Sequence, residues 1–487
     1  MKKSVVALIA LATFVAGIIV CAVVLLVAFP QLKQSLIESE LLGYITERAM
    51  PLPYHTLNQS SLRPLLGEGI PGLYPELTDA LLERIMAVIQ KTYAVHIEAA
   101  QNPPSSDEQM VDYLDRMGLL AQMKLEREAA LSEMQGMDPA AHYLPPVAEY
   151  TEYYSLTPPP GPLRLPAEFE EIGAVVIGWP IFYPYSWQRH ADLTGYVASE
   201  AWAYVFVPNE YWQKAVELFL THKQVSLDQV RFLYAPLDDV WLRDNGPTTV
   251  ESGPESKPIM IVNPYLPNGV PYAKGDSELP LELARYLGVP AYRLPLIVEG
   301  GNIVGDGQGT FIMFESALYH NPEVTRESLE RIMREYFGCQ RLILFPMLKA
   351  EMSGHIDMVV KFLDASTVLV AQSDPKYQWY EDFEAIAAQL AQTPSATGEN
   401  YTVQRVMLGE NDNNSLNYWT YVNSLILNHK VIVPTFGVEQ DEKALELYRQ
   451  IMPGYEVVGV NFSDFPLGSV HCNTKEIPAT LVSGIGK

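Results

Sequence analysis

Between Val5 and Phe29 the chain carries no charged residue, and Lys2 and Lys3 stand just before this run. Such a length of apolar and small residues is enough to cross a bilayer core of roughly 30 Å as a helix. It exceeds the apolar stretch of about 7–15 residues in a secretory signal. Its exit, "LLVAFPQ", has Leu26 where a small residue should precede a cut after Ala28. The pattern predicts an uncleaved anchor within residues 1–30, a cleaved signal being the alternative. Bulky Ile19 and Val20 ahead of Cys21 argue against a lipoprotein. The leading lysines predict a cytoplasmic N-terminus and an extracytoplasmic remainder, secreted if the run is cleaved.

The texture then changes twice. From residue 31 to about 155, apolar positions recur at three and four spacing, as in "PELTDALLERIMAVIQKTYAVHIEAA" and, after the "NPPSS" break, "SSDEQMVDYLDRMGLLAQMKLEREAALSEMQ". This predicts a helical extension, with Thr78 as one helix start. "SLTPPPGPLRLP" reads as a Pro-rich linker near residue 160. Beyond it, short Val/Ile/Leu/Phe strands alternate with helical segments, predicting an α/β domain over 156–487.

A polar group follows several of these strands, about every 50 to 60 residues. "VRFLYAPLDDVWLRD" ends at Asp244, "AYRLPLIVEGGN" holds Glu299, and "RLILFPMLKAEMSGHID" ends at His355 and Asp357. "VQRVMLGENDNNSLNYWTYVN" ends at Asn423, and "YEVVGVNFSDFPLGSVHC" at Cys472. This is the weak internal repeat expected of similar units converging on one centre.

Composition narrows the partners. The 487 residues are 48% hydrophobic and 19% charged, with a formal charge of −25. That charge excludes nucleic acid as the main partner, because phosphate binding needs a basic face. Three cysteines build no disulfide framework. Cys21 lies in the apolar run, which leaves Cys339 and Cys472.

Taken singly, each polar group has a structural explanation: a turn former, a satisfied core histidine, a capping glutamate. Jointly they suit three kinds of site. A Cys472–His355–Asp357 triad could perform acyl transfer as a cysteine amidase or protease, but has little use for further acids. A metal site of His355, Asp357 and Glu299 lacks any HExxH, CxxC or paired-His signature. The third attacks a guanidinium, a planar cation whose N–H donors match carboxylates on its edges. Asp244 and Asp357 would hold it, the Cys472 thiolate would attack its carbon, and His355 would serve the departing ammonia and then water. Two residues apart on an extended segment, His355 and Asp357 would point the same way. The glycines after Glu299 would allow a sharp turn.

The segments "LPAEFEEIGAVVIGWP", "DDVWLRDNGP", "VEGGN", "SGHIDMVVKF", "YVNSLILNHKVIVPTFG" and "VHCNTKEIP" occur in this order between Leu165 and Pro478. In them the chain resembles the family of agmatine deiminases and Porphyromonas-type peptidylarginine deiminases, over about two thirds of its length. The resemblance implies a pentein fold, a pseudo-fivefold α/β propeller around a central site, and no cofactor. It implies Cys472 as nucleophile, His355 as acid/base, Asp244 and Asp357 as guanidinium ligands, Asn423 as a catalytic-site asparagine and Glu299 as a supporting acid. The implied substrate is a small guanidine such as agmatine, or arginine within a peptide. The peptidylarginine branch carries paired arginines that grip a C-terminal carboxylate. The matching loop here, "NPYLPNGVPYAKGDSELP", has Lys274 as its only cation. A non-catalytic guanidinium-binding protein is the alternative from another class, though a binder has no need of the thiol.

Overall fold

A computed structural model describes residues 154–482, apart from short internal segments that include 181–185, 263–278, 349–352, 410–418 and 464–467. The expected anchor and most of the helical extension lie outside the described residues. Among the described residues no helix is long and apolar enough to cross a membrane.

Five sheets share one topology. In each, a middle strand pairs antiparallel with an inner strand and parallel with an outer one. In unit two, Lys257–Val262 lies between Thr248–Ser252 and Ala291–Arg293. In unit three, Thr310–Phe314 lies between Val304–Gly305 and Arg341–Phe345. Units four and five repeat this with Val360–Phe362, Thr367–Gln372 and Thr402–Met407, then Leu425–Leu427, Lys430–Thr435 and Glu456–Asn461. Unit one is completed by strands from the two ends of the sheet-forming region. Its middle strand, Ile172–Gly178, runs parallel to Trp202–Val207, while its inner strand is Thr474–Pro478.

In units two to five an inner strand reaches the middle one by a short antiparallel connection; in all five the parallel neighbours need a long crossover, here supplied by a helix. Arg326–Phe337 is one such crossover. Thr325 accepts the Ser328 N–H at its start, and Gly338 ends it at φ 74°. Leu329, Ile332, Met333, Tyr336 and Phe337 form its buried stripe, which packs with Phe311 and Met313 of the neighbouring strand. Near unit one, Trp179, Trp187, Trp212 and Phe219 pack largely edge to face.

Two sequence expectations change. The Pro-rich stretch is tied to the domain rather than being a free spacer: Ser252 donates to the Pro160 carbonyl, the Gly253 N–H to the Pro162 carbonyl, and Leu163–Arg164 pairs with Ser252 and Glu251. Tyr154–Ser155, on the helical side of the expected boundary, forms a strand beside Ala291–Tyr292.

Candidate functional site

Every inner strand is preceded, within five residues, by a residue the sequence singled out: Asp244, Glu299, His355 with Asp357, Asn423 and Cys472. The groups therefore stand before the first strand of a unit, after the loop that leaves the previous one. Hydrogen bonds join the five units in a closed ring at this level. The Gly301 N–H donates to Asp244 Oδ1 at 3.1 Å. His355 Nε2 lies 2.5 Å from Glu299 Oε2. Asn423 Nδ2 donates to Asp357 Oδ2 at 3.2 Å, and its Oδ1 accepts the Cys472 N–H at 3.2 Å. The Arg243 N–H donates to the Cys472 carbonyl at 3.1 Å and closes the ring. All six predicted residues thus meet at one centre.

Local geometry departs from expectation in two places. Asp357 lies in a 3-10 turn, Ile356–Met358, with His355 as its extended N-cap, so the pair is not on a strand. The two side chains consequently serve different partners: His355 faces Glu299 and Asp244, the latter at 3.5 Å, while Asp357 faces Asn423 and His471. The expected alternative triad is therefore not formed, because Asp357 orients His471 rather than His355. The glycines after Glu299 serve close approach. A Cβ on Gly301 would stand 2.8 Å from both Asp244 Oδ1 and His355 Nδ1, and one on Gly300 would stand 2.0 Å from the Arg243 carbonyl.

Burial gives these charges their character. It opposes a charged His355, but Asp244 and Glu299 outweigh it and hold the imidazole pKa well above its ordinary value. Burial pushes the Asp244 carboxyl up to about 7; His355 opposes this, while Glu299 and Asp357 add to it. Burial would also raise Asp357, yet His471, His355 and Arg243 hold it below the usual range. Burial, with Asp357 and Asp244 beside it, raises the Cys472 thiol well above its ordinary value. Asp357 Oδ1 is buried and accepts no hydrogen bond. An acceptor left bare in a site of carboxylates calls for a cationic donor.

Sequence reasoning assigned no role to the layer beneath. His471 bridges Asp357 and Glu168, at 2.6 and 2.7 Å, and Lys361 is paired with Glu168 at 2.8 Å. Arg243 is paired with Glu476. Glu168 and His471 lie within "LPAEFEE" and "VHC", but buried charge pairing is visible only once distant segments meet. Among the described residues, Glu168, His471 and Glu476 are the group with donors close enough for one ion, and Lys361 and Arg243 already neutralise its carboxylates. The expected alternative of a metal on His355, Asp357 and Glu299 does not fit either, since His355 bonds Glu299 directly and Asp357 is turned to His471.

The comparisons agree on family and fold. A Marinomonas sp. (strain MWYL1) protein named "Putative agmatine deiminase" is 26% identical over 357 residues, 65% of this chain and 94% of that one. The structure of the "Putative Arginine Deiminase" from Porphyromonas gingivalis superposes with a TM-score of 0.58 at 22% identity, covering 66% of this chain and 99% of the other. Agmatine deiminase of Enterococcus faecalis superposes with a TM-score of 0.56 at 21% identity, covering 65% and 96%. Residues 164–478 match the description "Porphyromonas-type peptidyl-arginine deiminase", and the chain belongs to that family.

Proposed function

We propose that the protein is a guanidine deiminase on a pentein-type, pseudo-fivefold scaffold, a hydrolase acting on the C–N bonds of linear amidines. The observation that carries the reading is the buried, unpartnered Asp357 Oδ1 in a site that also holds Asp244, His355 and the Cys472 thiol. A guanidinium edge would supply the missing donors to Asp357, and Asp244 would take another edge. Burial and the two carboxylates keep the thiol protonated; the cation would offset the carboxylates, so substrate binding favours the thiolate, with the thiol proton passing to solvent. Cys472 Sγ then adds to the guanidinium carbon. His355, held as imidazolium, gives its proton to the departing ammonia, leaving a thiouronium-type adduct on sulfur. The now neutral His355 takes a proton from water, whose oxygen adds to the same carbon. Collapse of this species expels the sulfur, which takes up the proton lost by the hydroxyl, and leaves a ureido group and the resting thiol. Asn423, bonded to both Cys472 and Asp357, positions nucleophile against ligand, and Glu299 sustains the charge on His355.

Agmatine and peptidyl-arginine both satisfy this chemistry, the latter giving citrulline. The loop that in the peptidylarginine branch grips a C-terminal carboxylate corresponds here to residues 263–280, of which 263–278 lie outside the described residues, and Lys274 is its only cation. The apolar run Val5–Phe29 supports a membrane-anchored enzyme with its catalytic domain extracytoplasmic. The test is ammonia release from agmatine, a peptide ending in free arginine, and its C-terminal amide. The reading expects turnover of guanidines and none of amides or peptide bonds. It expects kcat/KM for the free acid and the amide to agree within about tenfold, because a single Lys gains less than a bidentate arginine fork. A preference of several hundredfold for the free acid would overturn the view of the loop. Cleavage of amides without guanidine turnover would overturn the function.

A further inference from the structure

Behind Asp357 runs a row of groups of alternating charge, whose other members, His471, Glu168 and Lys361, the proposed chemistry does not use. Asp357 Oδ2 lies 2.6 Å from His471 Nδ1, and His471 Nε2 lies 2.7 Å from Glu168 Oε2. Lys361 Nζ donates to both Glu168 oxygens, at 2.8 and 2.9 Å. His471 and Lys361 are each 4% exposed and Asp357 is 1% exposed. Three chain segments supply the row: the turn and strand over 356–362, the turn before Thr474–Pro478, and the approach to Ile172–Gly178.

The partners of each group constrain the direction of these bonds. Glu168 accepts from Lys361 and from the Ile426 N–H at 2.9 Å, so it is an ionised acceptor. Asp357 Oδ2 accepts from Asn423 Nδ2 as well as facing His471. A carboxylate oxygen faces each ring nitrogen of His471, an arrangement that a ring protonated at both nitrogens would satisfy by donating to the two. We propose that His471, donating from both ring nitrogens, is a positioning residue for the guanidinium, holding Asp357 ionised and turned so that Oδ1 stays bare for substrate, with the partly buried Glu168 and the buried Lys361 as its counter-charges.

This rests on the deiminase reading for its kinetic consequence, though not for its geometry. Without the His471 cation, Asp357 would share the site with Asp244 and Glu299 with less compensation, and like carboxylates drive one another toward protonation. Oδ2 would also lose a charge-assisted donor and the side chain its fixed rotamer. The lower location of Asp357 on the pKa scale agrees with this, and His471 is a principal cause.

Two substitutions separate positioning from mere packing. An asparagine amide nitrogen can stand where Nδ1 stands, and a glutamine amide nitrogen where Nε2 stands. H471N therefore keeps a donor for Asp357, whereas H471Q keeps one for Glu168. The expected result is a KM for the guanidine raised about tenfold or more in H471Q, with kcat changed less, and a clearly smaller rise in H471N. Equal losses in the two variants overturn the proposal. The second readout is 15N–1H NMR of histidine-labelled Cys472→Ala protein without substrate. His471 should carry protons on both ring nitrogens at the pH of the kinetic assay. A singly protonated ring there overturns the proposal, whether or not the variants fold. Failure of the wild-type protein to turn over any guanidine would instead count against the deiminase reading, with the NMR result still deciding the state of His471.

Discussion

Glu299 Oε2 and His355 Nε2 lie 2.5 Å apart, joining units three and four at the rim of the site. With Asp244 on the other ring nitrogen, this contact outweighs burial and keeps His355 protonated above its usual range. In E299Q the imidazole loses one of two supporting charges, so its pKa falls and the acid form is lost at lower pH. A charge-assisted hydrogen bond of about 1.5–3 kcal/mol corresponds to about one to two pH units. The alkaline limb of the kcat profile should move down by about that much. An unmoved limb would detach Glu299 from the acid/base step.

Asp244 sets the acidic side. Its carboxyl titrates near 7 in the unliganded site, raised chiefly by burial. The ionised form pairs with a guanidinium much more strongly than the neutral acid, so ligand binding favours release of the proton that Asp244 holds at lower pH. Agmatine binding to Cys472→Ala protein, followed by calorimetry, should weaken about tenfold from about pH 8 to about pH 6, with one proton released per ligand at the lower pH. Flat affinity over that range contradicts the assignment.

Gly301 has a tight steric role. A methyl there would meet both Asp244 Oδ1 and His355 Nδ1 at 2.8 Å. Those two groups must separate or tilt to admit it, while the surrounding sheets need not change. G301A should keep its circular dichroism and cooperative unfolding yet lose about a hundredfold in kcat/KM, as misplacement by about 1 Å can cost. Retention of activity within about threefold would show that the spacing is not critical.

How much of this the sequence disclosed follows from the range of the forces involved. Strand and crossover helix are local patterns, so the alternating α/β texture and the recurrent polar residue could be read directly. The closure of unit one could not, since nothing near Thr474–Pro478 marks Ile172–Gly178 as its partner. His355 and Asp357 were correctly brought to one centre for a wrong local reason: they occupy a 3-10 turn, not a strand. Their partners follow from that turn, and with them the distinction between a triad and separate acid/base and ligand roles. The Asp357–His471–Glu168–Lys361 row was invisible because each charge looks like a surface residue until distant segments bury it.

The central claim is that Cys472 carries the guanidine carbon between loss of ammonia and attack of water. Rapid acid quenching of the enzyme during turnover of agmatine or an arginine peptide, followed by mass spectrometry, tests it directly. The account predicts a transient species heavier by the substrate less one ammonia, located by digestion to the peptide that contains Cys472, and absent from Cys472→Ala protein. Ammonia released with no such species, an adduct on another residue, or undiminished turnover by Cys472→Ala would contradict it.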